Sequence, residues 1–166
     1  MDQFNDSSLP AFPIVVRRAT LVDAPVIGQY NAAMALETEH KHLDPDLLLA
    51  GVKGLFADEA RGFYLVAEHD GNVVGQLMIT FEWSDWRNGV FWWIQSVYVR
   101  EEFRGKGVFR LLYEHASMRA REAGNVCGLR LYVEKENGRA KEVYRKLGMH
   151  ATEYELWETE DVFRPR

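Results

Sequence analysis

A short basic loop between an apolar run and an amphipathic segment holds the residues best suited to chemistry. Arg104, Gly105, Lys106 and Gly107 follow the run Val97–Val99. An apolar stripe with helical spacing comes next, formed by Val108, Leu111, Leu112, His115 and Ala116. The glycines expose backbone N–H groups where the helix dipole is positive, and the two cations add charge to an acidic protein. The loop therefore predicts a site for a phosphate or pyrophosphate group.

Two commoner phosphate-binding loops do not fit this stretch. A P-loop requires Ser or Thr after its lysine, but Lys106 is followed by Gly107. The dinucleotide fingerprint Gly-x-Gly-x-x-Gly starts at Gly105, but Arg110 occupies its last position. A plain turn before a helix has a similar composition, so the loop alone does not decide the function.

A second group of candidate residues lies between Asn137 and Met149. Asn137 is a good helix N-cap. The apolar stripe that follows consists of Ala140, Val143, Tyr144 and Leu147. Tyr144 is thus expected to face inward on a helix. Such a tyrosine is either a core residue with a satisfied hydroxyl or a proton donor, and both interpretations stay open on spacing alone.

Together, the two blocks resemble the GNAT N-acetyltransferase superfamily. Arg104 and Gly107 match its acyl-CoA motif, Gln/Arg-x-x-Gly-x-Gly/Ala, with Phe109 at the last position. The later block is similar to Asn-x-x-Ala-x-x-x-Tyr-x-x-x-Gly-Phe, with Met149 in place of Phe. The resemblance implies an acyl-CoA-dependent N-acyltransferase. Such an enzyme transfers the acetyl group of acetyl-CoA to a primary amine of a small molecule or protein by direct attack.

The resemblance also implies roles for single residues. Asn137 would contact the pantetheine arm, Tyr144 would protonate the CoA thiolate, and Val97 and Val99 would pair with the arm through their main chain. The full predicted CoA site is Val97, Tyr98, Val99, Arg104, Gly105, Lys106, Gly107, Val108, Phe109, Arg110, Asn137 and Tyr144. A non-catalytic CoA-binding regulatory module is the alternative, since a bulky Phe109 would narrow the phosphate cradle.

The candidates for base and substrate contacts come from one aromatic, acidic region. Glu82, expected at the end of a strand, is the candidate general base, although a water chain could replace it. Trp83 and Gln95 are candidate substrate-binding residues. This region resembles the diamine (polyamine) acetyltransferase branch, which carries Glu-Asp where this chain has Gln95 and Ser96. Losing both acids weakens the case for a polyamine substrate.

Composition narrows the class of protein further. The 166 residues carry a net charge of −5, which argues against a nucleic-acid or anionic-membrane partner and suits an amine. Cys127 is alone, which excludes an intramolecular disulfide or a cysteine metal cluster, and we expect it to be small and buried. His40 and His42 indicate a surface pair rather than a metal site. No apolar run reaches transmembrane length, so a cytoplasmic location is expected.

The predicted elements form one α/β (α+β mixed) domain over residues 13–166, after a flexible lead-in at 1–12. Their order is β-α-α-β-β-β-α-β-α-β, which also resembles the GNAT fold. The strands are expected at Ile14–Arg18, Phe63–Glu68, Val73–Phe81, Val90–Val99, Leu129–Val133 and Met149–Trp157, and the last could pair across a homodimer. Helices are expected after Thr20, after Asp44, after the basic loop and over Asn137–Leu147. Short turns make the early strands antiparallel, while the helical crossover favours one parallel pair.

Overall fold

A five-stranded mixed sheet with helices on both faces accounts for residues 13–159, the part of the chain that the computed structural model describes. The strands are β1 Val15–Arg18, β2 Gly62–His69, β3 Asn72–Ser84, β4 Gly89–Val99 and β5 Val126–Leu131. The helices are α1 Ala24–Glu39, α2 Pro45–Phe56, α3 Val108–Ala123 and α4 Gly138–Lys146. The predicted mixed α/β architecture is confirmed. The predicted lead-in at 1–12 lies outside the described residues.

The strands follow one another in the sheet in chain order. β1 to β4 pair antiparallel, and β4 pairs with β5 in parallel through the α3 crossover. Asp70 and Gly71 have φ values of 47° and 74°. Two consecutive left-handed residues make the tight turn that best matches the twist of paired strands, so they fix the β2–β3 register.

Two apolar cores lie on opposite faces of the sheet. The core under α3 and α4 includes Leu65, Leu77, Ile79, Leu112 and Tyr144. The core under α1 and α2 includes Ile27, Val52, Leu55, Tyr64 and Val66. Since each face is covered by its own helix pair, residues on alternate positions of β2, β3 and β4 point into different cores.

The start of each helix on the second face is set by a local carboxylate. Asp44 accepts hydrogen bonds from the backbone N–H groups of Asp46 and Leu47 and so caps α2. A capping box formed by Thr20 and Asp23 closes a single 3-10 turn that leads into α1. Asp23 is also ion-paired with Arg17 at 2.8 Å, which fastens this turn to β1.

The strand predicted for Met149–Trp157 is wrong, because residues 149–159 form no strand. Tyr154, Leu156 and Trp157 are exposed. The backbone N–H of Tyr154 donates to Thr152 Oγ1 at 3.4 Å, a local bond that competes with a sheet ladder. The alternating pattern of residues 149–157 therefore indicates only a preference for extended backbone. Without a partner strand, this segment does not form a β-strand. The homodimer contact expected there stays a prediction.

The last strand and its cysteine also differ from expectation. β5 begins three residues before the predicted Leu129 start and ends before Tyr132. Cys127 is therefore the second residue of the edge strand, and it is exposed rather than buried. An edge strand has only one neighbour, which leaves its side chains less covered. Among residues 13–159, no helix is long and apolar enough to cross a membrane.

Candidate active site

The basic loop opens α3, as predicted. Gly105 and Gly107 have φ values of 70° and 85°, which glycine adopts at little cost. Gly107 is the N-cap of the 16-residue helix and has no side chain to accept bonds from the first-turn amides. These amides lie at the positive end of the helix dipole. The loop therefore has the local geometry of an anion-binding helix start.

The guanidinium of Arg104 does not extend into this loop but turns inward. Its side chain is only 8% exposed and is ion-paired with Glu37 of α1 at 2.7 Å. Its Nε donates to the carbonyl of Val99 at 2.8 Å. Lys106, by contrast, is an exposed residue, with its Nζ 5.7 Å from the Phe103 ring centroid. Arg104 thus joins α1, β4 and the loop, and Lys106 is left as the outward charge.

The Phe109 side chain lies in the core instead of narrowing the cradle. It is 3% exposed, and its ring centroid lies 5.8 Å from that of Tyr144 in an edge-to-face contact. The expectation that its bulk would obstruct a phosphate is therefore wrong, because the first helical turn directs the ring toward α4. The same contact places Tyr144 beside the first turn of α3.

Tyr144 and Asn137 are positioned by helix α4. Asn137 Oδ1 accepts a hydrogen bond from the backbone N–H of Ala140 at 2.9 Å, so it caps the helix as predicted. Tyr144 is 8% exposed and belongs to the α3–α4 core. Burial raises the pKa of its phenol to about 12. The hydroxyl is therefore protonated at neutral pH and suited to hydrogen-bond donation.

Strand β4 pairs with two strands along its first part and with one strand along its last part. Its pairing with β5 ends at Ile94, whereas its pairing with β3 continues to Val99. The strand is irregular just beyond this point, where Ser96 has a φ of 48°. Residues 95–99 therefore lie past the end of the β5 ladder, on the edge where the sequence predicts the thioester arm. Tyr98 and Val99 are buried, so only their main chain suits such pairing.

Three buried polar residues that the sequence analysis missed lie behind this irregularity. Asn31, Tyr64 and Gln76 come from α1, β2 and β3 and are no more than 9% exposed. Gln76 Nε2 donates to Asn31 Oδ1 at 2.7 Å and to the Ser96 carbonyl at 3.3 Å. The only sequence feature that could have indicated Gln76 is its polar side chain within the apolar run Val73–Phe81. Nothing local points to its partners, which are far away in sequence.

Glu82 lies within β3, not at its end, and both its oxygens accept hydrogen bonds. Oε1 accepts from Arg130 at 2.8 Å, and Oε2 accepts from the Trp93 indole at 2.5 Å. Glu82 is four residues along β3 from Met78, the partner of Gln95. At about 3.4 Å per residue this is roughly 14 Å, so Glu82 reaches the irregular part of β4 only through an intermediate such as water.

The two predicted substrate residues lie apart. Gln95 is adjacent to Ser96 and donates to Thr80 Oγ1 at 2.5 Å. Trp83 pairs with Val90 near the end of the β3–β4 hairpin and is 60% exposed. His40 and His42 are exposed, and within residues 13–159 no group of His, Cys, Asp and Glu could hold a metal ion. Of these residues, the structure brings only Gln95 next to the irregular part of β4.

A cleft of about 400 Å³ lies at the other end of α3. Its walls include Phe63, Trp92, Arg119 and Glu122. Arg119 follows Val108 by eleven residues, which is about 16 Å along a helix at 1.5 Å per residue. The cleft is therefore separate from the phosphate-binding loop, and none of the predicted catalytic residues lines it.

Known proteins with similar sequences and folds include several acetyltransferases. The sequence pattern of the acetyltransferase (GNAT) family matches residues 29–149, which include the loop, β4 and Tyr144. The mycothiol acetyltransferase of Corynebacterium aurimucosum is 28% identical over 144 residues, covering 84% of this chain and 47% of that protein. The chain thus spans about half the length of the curated relative that it matches.

Solved structures are similar over nearly the whole chain. A possible acetyltransferase from Clostridium difficile 630 has a TM-score of 0.84 and 46% identity, covering 90% of this chain and 99% of that one. A predicted acetyltransferase with acetyl-CoA from Clostridium acetobutylicum has a TM-score of 0.72 and 18% identity, covering 89% and 96%. The second similarity supports the fold alone.

Proposed function

The chain belongs to the acetyltransferase (GNAT) family, and we propose that it is an N-acetyltransferase that moves the acetyl group of acetyl-CoA to a primary amine of a small molecule or protein. The observation that carries this proposal is the alignment of three parts around one edge. These parts are the glycine loop at the start of α3, the stretch of β4 beyond its β5 partner, and Tyr144 beside the first turn of α3.

The loop would hold the pyrophosphate of CoA. Backbone N–H groups of the first turn of α3, together with the dipole of a 16-residue helix, favour an anion at Gly107. Lys106 adds an exposed cation. Arg104 supports the loop from behind through Glu37 and Val99 instead of meeting the phosphates. This division of roles explains how an acidic protein of net charge −5 can bind a polyanion at one place.

The main chain of β4 would hold the pantetheine arm and the thioester. An extended arm can pair with an exposed strand edge in the manner of an added strand. Val97 and Val99 lie beyond Ile94, where β5 no longer pairs with β4. Asn137 Oδ1 already accepts a hydrogen bond from the backbone N–H of Ala140. A contact between Asn137 and the arm would therefore use its side-chain NH₂ group or the second lone pair of this oxygen.

Acetyl-CoA supplies an activated acyl group, so the residues need only orient the reactants and stabilise charge. A backbone N–H at the irregular part of β4 would donate to the oxygen on which negative charge develops. The neutral amine nitrogen would attack the thioester carbonyl carbon and form the carbon–nitrogen bond, after which the carbon–sulfur bond would break. Tyr144 would donate its hydroxyl proton to the departing sulfur and would be reprotonated from solvent. Its raised pKa favours a strong hydrogen bond over early transfer of the proton. The amine gives up a proton to water or, through water, to Glu82.

The experiment that tests this proposal is thiol release from acetyl-CoA over a panel of small amines and peptides. We expect Tyr144→Phe to lower kcat by about a hundredfold while the Kd of CoA changes less than threefold. Tyr113→Phe is the matched control, because Tyr113 also packs against Phe109 but directs its hydroxyl to the Leu147 carbonyl.

Two results would count against the proposal. A folded wild-type protein that binds CoA but turns over no amine would instead support a non-catalytic CoA-binding module. Equal losses of kcat in Tyr144→Phe and Tyr113→Phe would show that core packing, and not the Tyr144 hydroxyl, matters.

A further inference from the structure

The irregular part of β4 contains one extra residue relative to β3. Gln76 pairs with Tyr98 and Met78 pairs with Gln95, so two steps along β3 match three along β4. The extra residue is accommodated at Ser96, whose backbone has a φ of 48°. This conformation is unfavourable for residues other than glycine. The surroundings must therefore hold this conformation, and it lies just past the last β4–β5 pair at Ile94.

The contacts that hold it come from the face under α1 and α2. Gln76 Nε2 donates to the carbonyl oxygen of Ser96 at 3.3 Å and to Asn31 Oδ1 at 2.7 Å. Asn31 Nδ2 in turn donates to the Tyr64 hydroxyl at 3.5 Å. Residues of α1, β2 and β3 thus form one chain of hydrogen bonds that ends at the Ser96 carbonyl.

Gln76 is a polar residue at a position where burial is unfavourable for the free energy of folding. It is 0% exposed within an otherwise apolar part of β3, and its Oε1 has no hydrogen-bond partner among residues 13–159. Burying a polar group without a partner destabilises the folded state. An apolar side chain of the same length would remove this unpaired oxygen but would also take the donor away from Asn31 Oδ1 and the Ser96 carbonyl. The two effects oppose each other, so stability alone does not explain a glutamine here.

The geometry of one peptide unit connects Gln76 to the edge of β4. The carbonyl of Ser96 and the N–H of Val97 belong to the same planar trans peptide and point in opposite directions. Because Gln76 holds the Ser96 oxygen on its own side, it turns the Val97 N–H away from itself. The orientation of that donor is then set by a buried side chain that never meets the reactants.

We propose that Gln76 is a positioning residue for acetyl transfer, acting through Ser96 to aim the Val97 N–H at the developing oxyanion. The inference rests on the proposed function, since it assumes that the thioester lies on this edge. The expected consequence is that replacing this buried residue impairs the chemical step much more than it impairs CoA binding or folding.

The test is Gln76→Met, which keeps the length of the side chain but removes its donors. We expect a kcat lowered about tenfold to hundredfold and a Kd for CoA within twofold of wild type. The melting temperature should fall only modestly, because Asn31 Oδ1 and the Ser96 carbonyl lose a donor while the unpaired Gln76 Oε1 is removed. The backbone amide of Val97 should shift in the NMR spectrum of the unliganded protein and exchange faster with solvent. Met78→Leu, two residues along the same strand, is the matched control and should change none of these.

The possible outcomes separate clearly. A Gln76→Met protein that no longer unfolds cooperatively, or that binds CoA more weakly, would identify Gln76 as a structural residue and overturn the proposal. Unchanged kcat, or an unchanged Val97 amide, would overturn it as well. If wild type itself shows no turnover, the proposed function fails, and the Val97 amide still decides whether Gln76 orients this peptide.

Discussion

Arg104 of the phosphate loop is ion-paired with Glu37 of α1, with 2.7 Å between Nη2 and Oε2. The two residues are 67 positions apart in the chain. The pair joins the helix on one face of the sheet to the loop that starts α3 on the other. Arg104, which the sequence assigns to phosphate binding, therefore stabilises the position of the loop relative to α1.

Separate roles for the two loop cations lead to different salt dependences. We expect Lys106→Ala to raise the Kd of CoA about threefold to tenfold at low salt and less at high salt, because screening weakens an exposed charge. Glu37→Gln should instead lower the melting temperature, since the 8% exposed Arg104 loses its ion partner. Calorimetric titration at two salt concentrations, with thermal unfolding, checks both. A larger, salt-dependent loss of affinity in Arg104→Ala than in Lys106→Ala would contradict this division.

Gly107 is expected to tolerate neither bulk nor negative charge at the start of α3. Gly107→Glu should abolish detectable CoA binding, because it adds both where phosphates would lie. Gly124→Ala is the control for backbone strain, since Gly124 caps the other end of α3 with a φ of 74° and has open space around it. Its cost should be about 1–2 kcal/mol of stability with CoA affinity unchanged. Intact CoA affinity in a folded Gly107→Glu protein would show that the loop does not bind phosphate.

Local patterns predicted much of this site because its main parts are consecutive in the chain. The loop at 104–107 and the inward stripe of α4 follow from spacing and residue type. The hairpin follows from Asp70 and Gly71. These features depend on short-range geometry, which a single sequence expresses directly.

The remaining parts depend on contacts between distant segments. Gln76 meets Asn31 across 45 positions, and nothing near either residue indicates the other. The inward orientation of Arg104 could not be predicted, because it depends on the position of Glu37 near the end of α1. Phe109 was misplaced because the first turn of a helix rotates each side chain by about 100°, and small phase differences move a ring from cleft to core.

The raised pKa of Tyr144 predicts the shape of the pH profile. The phenol serves as a donor in its neutral form, which persists until the pH rises through its pKa of about 12. We therefore expect kcat to rise as the amine loses its proton and then to stay level to about pH 10, where an ordinary tyrosine would be half ionised. Stopped-time assays across pH check this. A fall in kcat below about pH 10 that is absent from Tyr144→Phe would contradict it.

Glu82 is expected to hold the Trp93 side chain in place more than to accept a proton directly. Its oxygens are engaged by Arg130 and by the Trp93 indole, and the ring of Trp93 is stacked on Tyr132 at 4.4 Å. We expect Glu82→Gln to lower kcat less than about fivefold and to act mainly on the KM of the amine, because the carboxylate lies roughly 14 Å along β3 from the residue opposite Gln95.

Arg130→Met is the matched variant, since it removes the same ion pair from the other side. Steady-state kinetics of both variants with one amine decide between the roles. If the ion pair acts by holding Trp93 in place, either substitution should change KM to a similar extent, because each removes one of the contacts of Trp93. If Glu82→Gln instead lowers kcat about a hundredfold while Arg130→Met does not, the carboxylate itself takes the proton, and a water chain must connect it to the amine.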